Sequence, residues 1–185
     1  MSKINAVRLL NVNYNNNAYR ISDETLYFNG ESTLISLQNG GGKSVLVQML
    51  TAPFVHPRYR NTKDRLFESY FTTNKPSFIL VEWALDQGAG YVLTGLMVRK
   101  SQDMEEDRKE NLDIIGIVSE YQSPCIQDIH HLPVVEKGKK EMILKNFNSC
   151  RQLFETYKKD RDMKFFYYDL TNYAQSRQYF DKLME

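Results

Sequence analysis

The chain is poor in the residues that build metal and disulfide sites. Its 185 residues include only two cysteines, Cys125 and Cys150, and three histidines, His56, His130 and His131. Neither cysteine has a CxxC companion and no histidines stand at HExxH spacing, which argues against structural zinc and against a disulfide framework. No apolar run approaches the ~18 residues of a membrane span, and Met1-Ser2-Lys3-Ile4-Asn5 lacks the apolar stretch of a secretory signal. A soluble, cytoplasmic protein is therefore expected. An excess of charge of one sign is also missing, because 24 Lys and Arg face 23 Asp and Glu for a net +1. Any contact with nucleic acid must then be local. Internal repeats, low-complexity tracts and long heptad patterns are absent too. What is present is 42% hydrophobic and 25% charged, enough for one core, so residues 1–185 are expected to form a single domain.

Alternation of apolar residues predicts strands over 4–12, 18–22, 25–28 and 33–37. They are separated by Asn15-Asn16-Asn17, Asp23-Glu24 and Asn29-Gly30, residues suited to turns. The fourth strand runs into a glycine loop, after which Val45, Leu46, Met49 and Leu50 recur at helical spacing until Pro53. A short helix is expected over 66–71. Two apolar runs, 78–85 and 91–98, flank Asp86-Gln87-Gly88-Ala89-Gly90 and predict a hairpin, with another strand over 114–121. Residues 101–111 carry five acidic and two basic side chains without apolar periodicity, so a mobile acidic loop is expected at about 101–112. Helices over 141–157 and 173–184 should close the chain, joined across 165–170.

The chemistry is concentrated in Asn39-Gly40-Gly41-Gly42-Lys43-Ser44. Glycines let consecutive backbone N–H groups turn inward toward phosphate oxygens, and the helix that follows adds its unpaired N–H groups and the positive end of its dipole. Lys43 is suited to bridge β- and γ-phosphates, and Ser44 to ligate Mg²⁺ through its hydroxyl. Against the pattern GxxxxGK[ST] the second half is complete, whereas Leu37 stands at the first glycine. Hydrolysis also needs a carboxylate at the end of a buried strand. Glu82 and Asp169 each follow four apolar or aromatic residues, but Glu82 sits in a continuing strand and Asp169 is equally suited to cap the next helix. The catalytic half of such a site is missing from this sequence.

These residues resemble the N-terminal lobe of the ATPase head of SMC-type proteins, nearest to the MukB-like branch that includes Wadjet-type anti-plasmid systems. The similarity starts at Val7-Arg8-Leu9-Leu10-Asn11-Val12-Asn13-Tyr14. It continues through the Walker A position at 37–44 and Arg60-Asn61-Thr62, and ends over 170–184. Only the Walker A part is specific. The resemblance implies an α/β fold of ABC type, a mixed β-sheet with a P-loop helix and flanking helices, forming the N-terminal half of a split head. It implies ATP and Mg²⁺ as cofactors, with Asn39, Gly40, Gly41, Gly42, Lys43, Ser44 and Val45 at the nucleotide and Ser44 on the metal. Asn13 and Tyr14 would approach the nucleoside. The coiled coil and a C-terminal lobe carrying the signature motif and Walker B would lie outside this sequence, so ATPase activity would require that lobe and a partner head. The implied role is DNA handling in chromosome segregation or plasmid and phage defence by a nucleoid-associated protein. Its partners would be its own C-terminal lobe, a second SMC head in a homodimer, a kleisin-type subunit and DNA, with no membrane.

A local net +3 lies between His56 and Arg65, where Arg58, Arg60, Lys63 and Arg65 outnumber Asp64. These four cations are candidates for DNA phosphates, or form an ordinary solvated loop. Two other functions remain open on the sequence. One is a self-contained P-loop NTPase or kinase using Asp169 for magnesium; the other is a module that keeps the loop without hydrolysing nucleotide.

Overall fold

The computed structural model describes residues 1–14, 18–63, 65–102, 110–122 and 124–185. Its centre is a six-stranded sheet built from β1 (Lys3–Tyr14), β2 (Tyr19–Tyr27), β3 (Ser77–Ala84), β4 (Tyr91–Lys100), β5 (Leu112–Tyr121) and β8 (Lys164–Asp169). The order across it is β2-β1-β3-β4-β5-β8, and every pairing is antiparallel. The expected mixed sheet is thus corrected, while α/β in the general sense holds. The links explain it: β1–β2, β3–β4 and β4–β5 are sequence neighbours that pair directly, whereas parallel neighbours need a crossover between them.

Both faces of the sheet are apolar because its strands read as near-continuous hydrophobic runs. One face, with Ala6, Leu10, Phe78, Leu80, Leu93, Ile115 and Phe165, packs on α2 (Phe147–Lys159) through Phe147, Cys150 and Phe154. The other, with Val7, Leu9, Ile79, Val81, Leu96 and Ile114, packs on α1 (Lys43–Thr51) through Val45 and Met49, and on α3 (Tyr173–Leu183) through Tyr179. Full burial of Val45 and Met49 contributes about 1.5–3 kcal/mol each and anchors the helix that follows the glycine loop. A small hairpin, β6 (Val135–Lys137) with β7 (Met142–Leu144), lies apart from the main sheet.

Several sequence expectations change. Strands 18–22 and 25–28 are one strand, β2, and Asp23-Glu24 makes no turn: the two residues pair with Leu10 and Leu9. Arg8 holds Asp23 in place, its Nε and Nη2 donating to the two carboxylate oxygens at 2.9 and 2.8 Å. The helix expected from 141 begins only at Phe147, since Ile143 and Leu144 belong to β7 and Asn146 caps α2 by accepting from the Ser149 N–H at 2.8 Å. The strand expected over 33–37 has no ladder, and Leu34 is 93% exposed. The hairpin of β3 and β4 forms as expected, with Gln87 at φ 58 in its turn. The turn expected at Asn15-Asn16-Asn17 and the acidic stretch 103–109 lie outside the described residues, and Leu112 already belongs to β5.

Candidate functional site

The glycine loop has the backbone its composition demands. Gly40 and Gly42 have φ of 83° and 90°, in the left-handed region that side chains rarely enter. The Gly41 N–H donates to the Gln38 carbonyl at 2.9 Å, and a Cβ on Gly41 would stand 2.9 Å from that oxygen and 3.4 Å from the Leu37 Cβ. Leu37, in place of the first glycine of the pattern, directly precedes the Gln38–Gly41 turn. The Leu46 N–H then donates to the Gly42 carbonyl at 2.8 Å and α1 starts.

Helices α2 and α3 are capped by Asn146 and Asn172, whereas α1 has no side-chain cap and no acidic residue in its first turn. Its first N–H groups and the positive end of its dipole remain open to an anion. They border a cavity of about 240 Å³ walled by the loop residues Asn39, Gly40 and Gly42, by Lys43 and Ser44, and by Tyr14 and Arg65. Backbone donors, a lysine, a hydroxyl and an arginine converge there, with no carboxylate among the described lining residues, a set suited to a polyphosphate.

Not every candidate reaches this cavity. Val45 is 1% exposed and packs in the core, so its side chain takes no part. Asn13 pairs with Arg20 in the β1–β2 ladder and is not among the lining residues, although its neighbour Tyr14 is.

The basic patch divides. Arg58 and Lys63 are exposed, with the Arg58 guanidinium 4.6 Å from the centre of the Tyr59 ring; Asp64 lies outside the described residues. Arg65 lines the same cavity as the glycine loop, set by a turn in which the Thr62 N–H donates to the Arg65 carbonyl at 2.9 Å. Arg60 is a correction. It is 2% exposed, its Nε donates to the Ala52 carbonyl at 3.1 Å, and its guanidinium lies 5.7 Å from the Phe67 ring centre. Burial pushes its pKa down, against Glu110 and Tyr179 nearby. A side chain so enclosed cannot touch DNA. Sequence reading missed this split because four cations in one short stretch look alike until the chain folds.

Both acid candidates fail as metal ligands at Ser44, for the same reason. Side chains alternate across a strand, so Glu82 shares the α2 face with Leu80, and Asp169 shares it with Phe165, whereas α1 lies on the other face. Glu82 is 5% exposed and accepts from Asn5 Nδ2 at 2.7 Å and from the Tyr121 hydroxyl. Burial, together with the Glu82 carboxylate, pushes the Tyr121 phenol up. Asp169 accepts from the Thr171 N–H and hydroxyl at 3.0 and 2.6 Å. It also stands four strands from β1, about 19 Å at normal strand spacing. Among the described residues no group of three His, Cys, Asp or Glu could hold a metal.

No family model matches the chain, and no curated protein matches it.

Proposed function

We propose that this chain is the ATP-binding, N-terminal half of an SMC-like ATPase head, of the MukB-like or Wadjet type. Its loop would hold Mg-ATP, while a second lobe and a partner head would supply the groups for hydrolysis. The observation that carries the reading is the uncapped start of α1 with Lys43, Ser44, Arg65 and left-handed glycines around one small cavity, and no acid among the described residues that line it. The loop and helix N–H groups would bind the β- and γ-oxygens, Lys43 would bridge them, and Ser44 would orient the cation through its hydroxyl. When bound, Mg²⁺ would neutralise charge on the β- and γ-oxygens. Arg65, which also lines the cavity, would add a guanidinium donor to the same oxygens.

The unladdered residues 33–37 directly before the loop, of which 33–36 are exposed, also support a lobe completed from elsewhere, because an apolar segment containing β-branched residues is suited to pair in a sheet. The two acid candidates lie on the wrong face, which weighs against a self-contained NTPase. In the intact assembly, nucleotide between two heads would govern their engagement and release and drive DNA movement, with Arg58 and Lys63 as candidate DNA contacts and a kleisin-type subunit as partner.

The test is calorimetry with Mg-ATP and ATPγS alongside a phosphate-release assay on the purified chain. The expected result is binding without turnover, abolished by Lys43→Ala. Turnover lost on Asp169→Asn would instead establish a self-contained NTPase, and no binding of either nucleotide would sink the phosphate-loop reading.

A further inference from the structure

We infer that Asn11 is a positioning residue for the phosphate-loop cavity: its left-handed backbone inverts the side-chain alternation of β1 and so places Tyr14, instead of Asn13, on the cavity wall. This rests on the phosphate-loop reading above, since the wall matters only if the cavity holds a ligand.

Along a regular strand, residues two apart share a face. Ala6 and Leu10 lie on the α2 face and Val7 and Leu9 on the α1 face, so positions 11 and 13 should continue toward α1 and positions 12 and 14 toward α2. The order reverses after Leu10. Val12 is fully buried with Val7 and Leu9, Tyr14 packs against the same cluster and lines the cavity, and Asn13 is not among the lining residues. The residue at the reversal is Asn11, at φ 56. The β1–β2 ladder skips it, passing from the Leu10–Asp23 rung to the Val12–Ile21 rung, and the β1–β3 ladder stops at Leu10 and Phe78.

Asparagine enters the left-handed region more readily than most residues with a side chain, yet a strained backbone persists only where its surroundings fix it. Asn11 is buried; its Nδ2 donates to the Pro76 carbonyl at 3.2 Å, and its own carbonyl accepts from the Ser77 hydroxyl at 2.6 Å. Both partners stand where β3 begins, so the inversion is tied to the middle of the sheet. Residue type favours it as well. On a regular path position 11 would face α1 beside Val7 and Leu9, where an amide meets apolar neighbours, whereas the inverted path gives that place to Val12. The inversion also carries Tyr14 to the glycine loop, a use for strain of the kind that functional sites retain.

The test reads where residue 14 stands, by thiol labelling of the full chain. In a Cys125→Ser background, with Cys150 buried, Tyr14→Cys supplies one reactive thiol, and inorganic tripolyphosphate with Mg²⁺ is the probe, held at a concentration that calorimetry shows to be saturating. The expected result is that the probe slows labelling by a disulfide reagent at least about fivefold. Adding Asn11→Val should abolish that protection, because a β-branched residue is strained at φ 56 and suits the α1 face of a regular strand. Adding Asn11→Gly, which adopts φ 56 freely, should keep the protection within about twofold. Asn11→Ala loses the same amide as Asn11→Gly but penalises φ 56, and it serves if the valine variant fails to fold. Undiminished protection in Asn11→Val, or in Asn11→Ala in its place, would overturn the inference. Equal loss in Asn11→Gly would overturn it too, as would a thiol that the bound probe never protects. A wild-type chain that binds neither Mg-tripolyphosphate nor Mg-ATP would instead refute the phosphate-loop reading.

Discussion

The hydroxyl of Tyr179 donates to the carbonyl of Pro53 at 2.8 Å. This fastens the last helix to the short 3₁₀ turn, Ala52–Phe54, that continues α1, the helix after the glycine loop. Arg60 Nε donates to the carbonyl just before it, that of Ala52. Farther up α1, Gln48 Nε2 donates to the Arg60 carbonyl at 2.6 Å, and the Tyr70 hydroxyl donates to Gln48 Oε1 at 2.5 Å. The end of α1 remote from the loop is thus held by buried polar contacts from three segments, while its loop end is left open.

Loss of the Tyr179 hydroxyl should be felt as stability. Tyr179→Phe leaves the buried Pro53 carbonyl without its donor, a cost of about 1–3 kcal/mol, which in a chain of this size lowers the thermal midpoint by roughly 2–4 °C per kcal/mol. Gly116→Ala should do at least as much, because its Cβ would stand 2.6 Å from Tyr179 Cδ2. Thermal unfolding followed by circular dichroism checks both; midpoints equal to wild type would refute the link.

Arg60 should behave as a core residue. Arg60→Ala opens a buried void and is expected to cost about 2–5 kcal/mol in urea unfolding. Arg60→Met, which keeps most of the volume but still takes the donor from the Ala52 carbonyl and the cation from beside Glu110, should cost less than alanine while remaining below wild type. A urea midpoint unmoved by Arg60→Ala would return this side chain to the surface.

The glycine loop should separate binding from folding. Gly41→Ala brings its Cβ to 2.9 Å from the Gln38 carbonyl oxygen, so the turn must open. Since the loop is exposed and outside both cores, the thermal midpoint should stay within about 2 °C while Mg-ATP affinity falls at least about tenfold. Equal affinity for variant and wild type in calorimetry would show that the turn is not the binding conformation.

Cys150 should be silent in the native protein. It is 0% exposed, and burial pushes its thiol up to about 12, so it stays protonated at neutral pH. In a Cys125→Ser background, labelling of Cys150 by a disulfide reagent should proceed only at the rate of global opening and accelerate with urea. Rapid labelling without denaturant would contradict its burial.

Asp128 carries an acid-sensitive part of the stability. Burial works to raise its pKa, but the His131 side chain and the N–H groups of Cys125, His131 and His130 outweigh it and hold the carboxyl below its ordinary value. A carboxylate depressed in the folded state stabilises above its unfolded pKa of about 3.9 and loses that contribution as pH falls through the folded value. Urea midpoints for wild type should therefore drop more steeply below about pH 4 than those of Asp128→Asn. Parallel curves would remove Asp128 from the acid response.

Local patterns were legible wherever neighbours in sequence act on one another. The glycine loop, the apolar spacing of Val45 and Met49, the β3–β4 hairpin and α3 all appear where the sequence places them. The failures occurred where a distant partner outweighed local preference. Arg8 turned Asp23 from a turn residue into a strand residue, and β6 recruited Ile143 and Leu144 away from a helix.

By itself, then, the order of residues determined a loop able to present N–H groups to an anion, since glycine backbone freedom and a following amphipathic helix are local properties. Only the tertiary structure decided which side chains surround that loop. Strand register and alternation sent Glu82 and Asp169 to the opposite face, and packing drew Arg60 inward while leaving Arg65 at the cavity. Face and depth depend on what each strand and helix packs against, and no spacing along one segment contains that information.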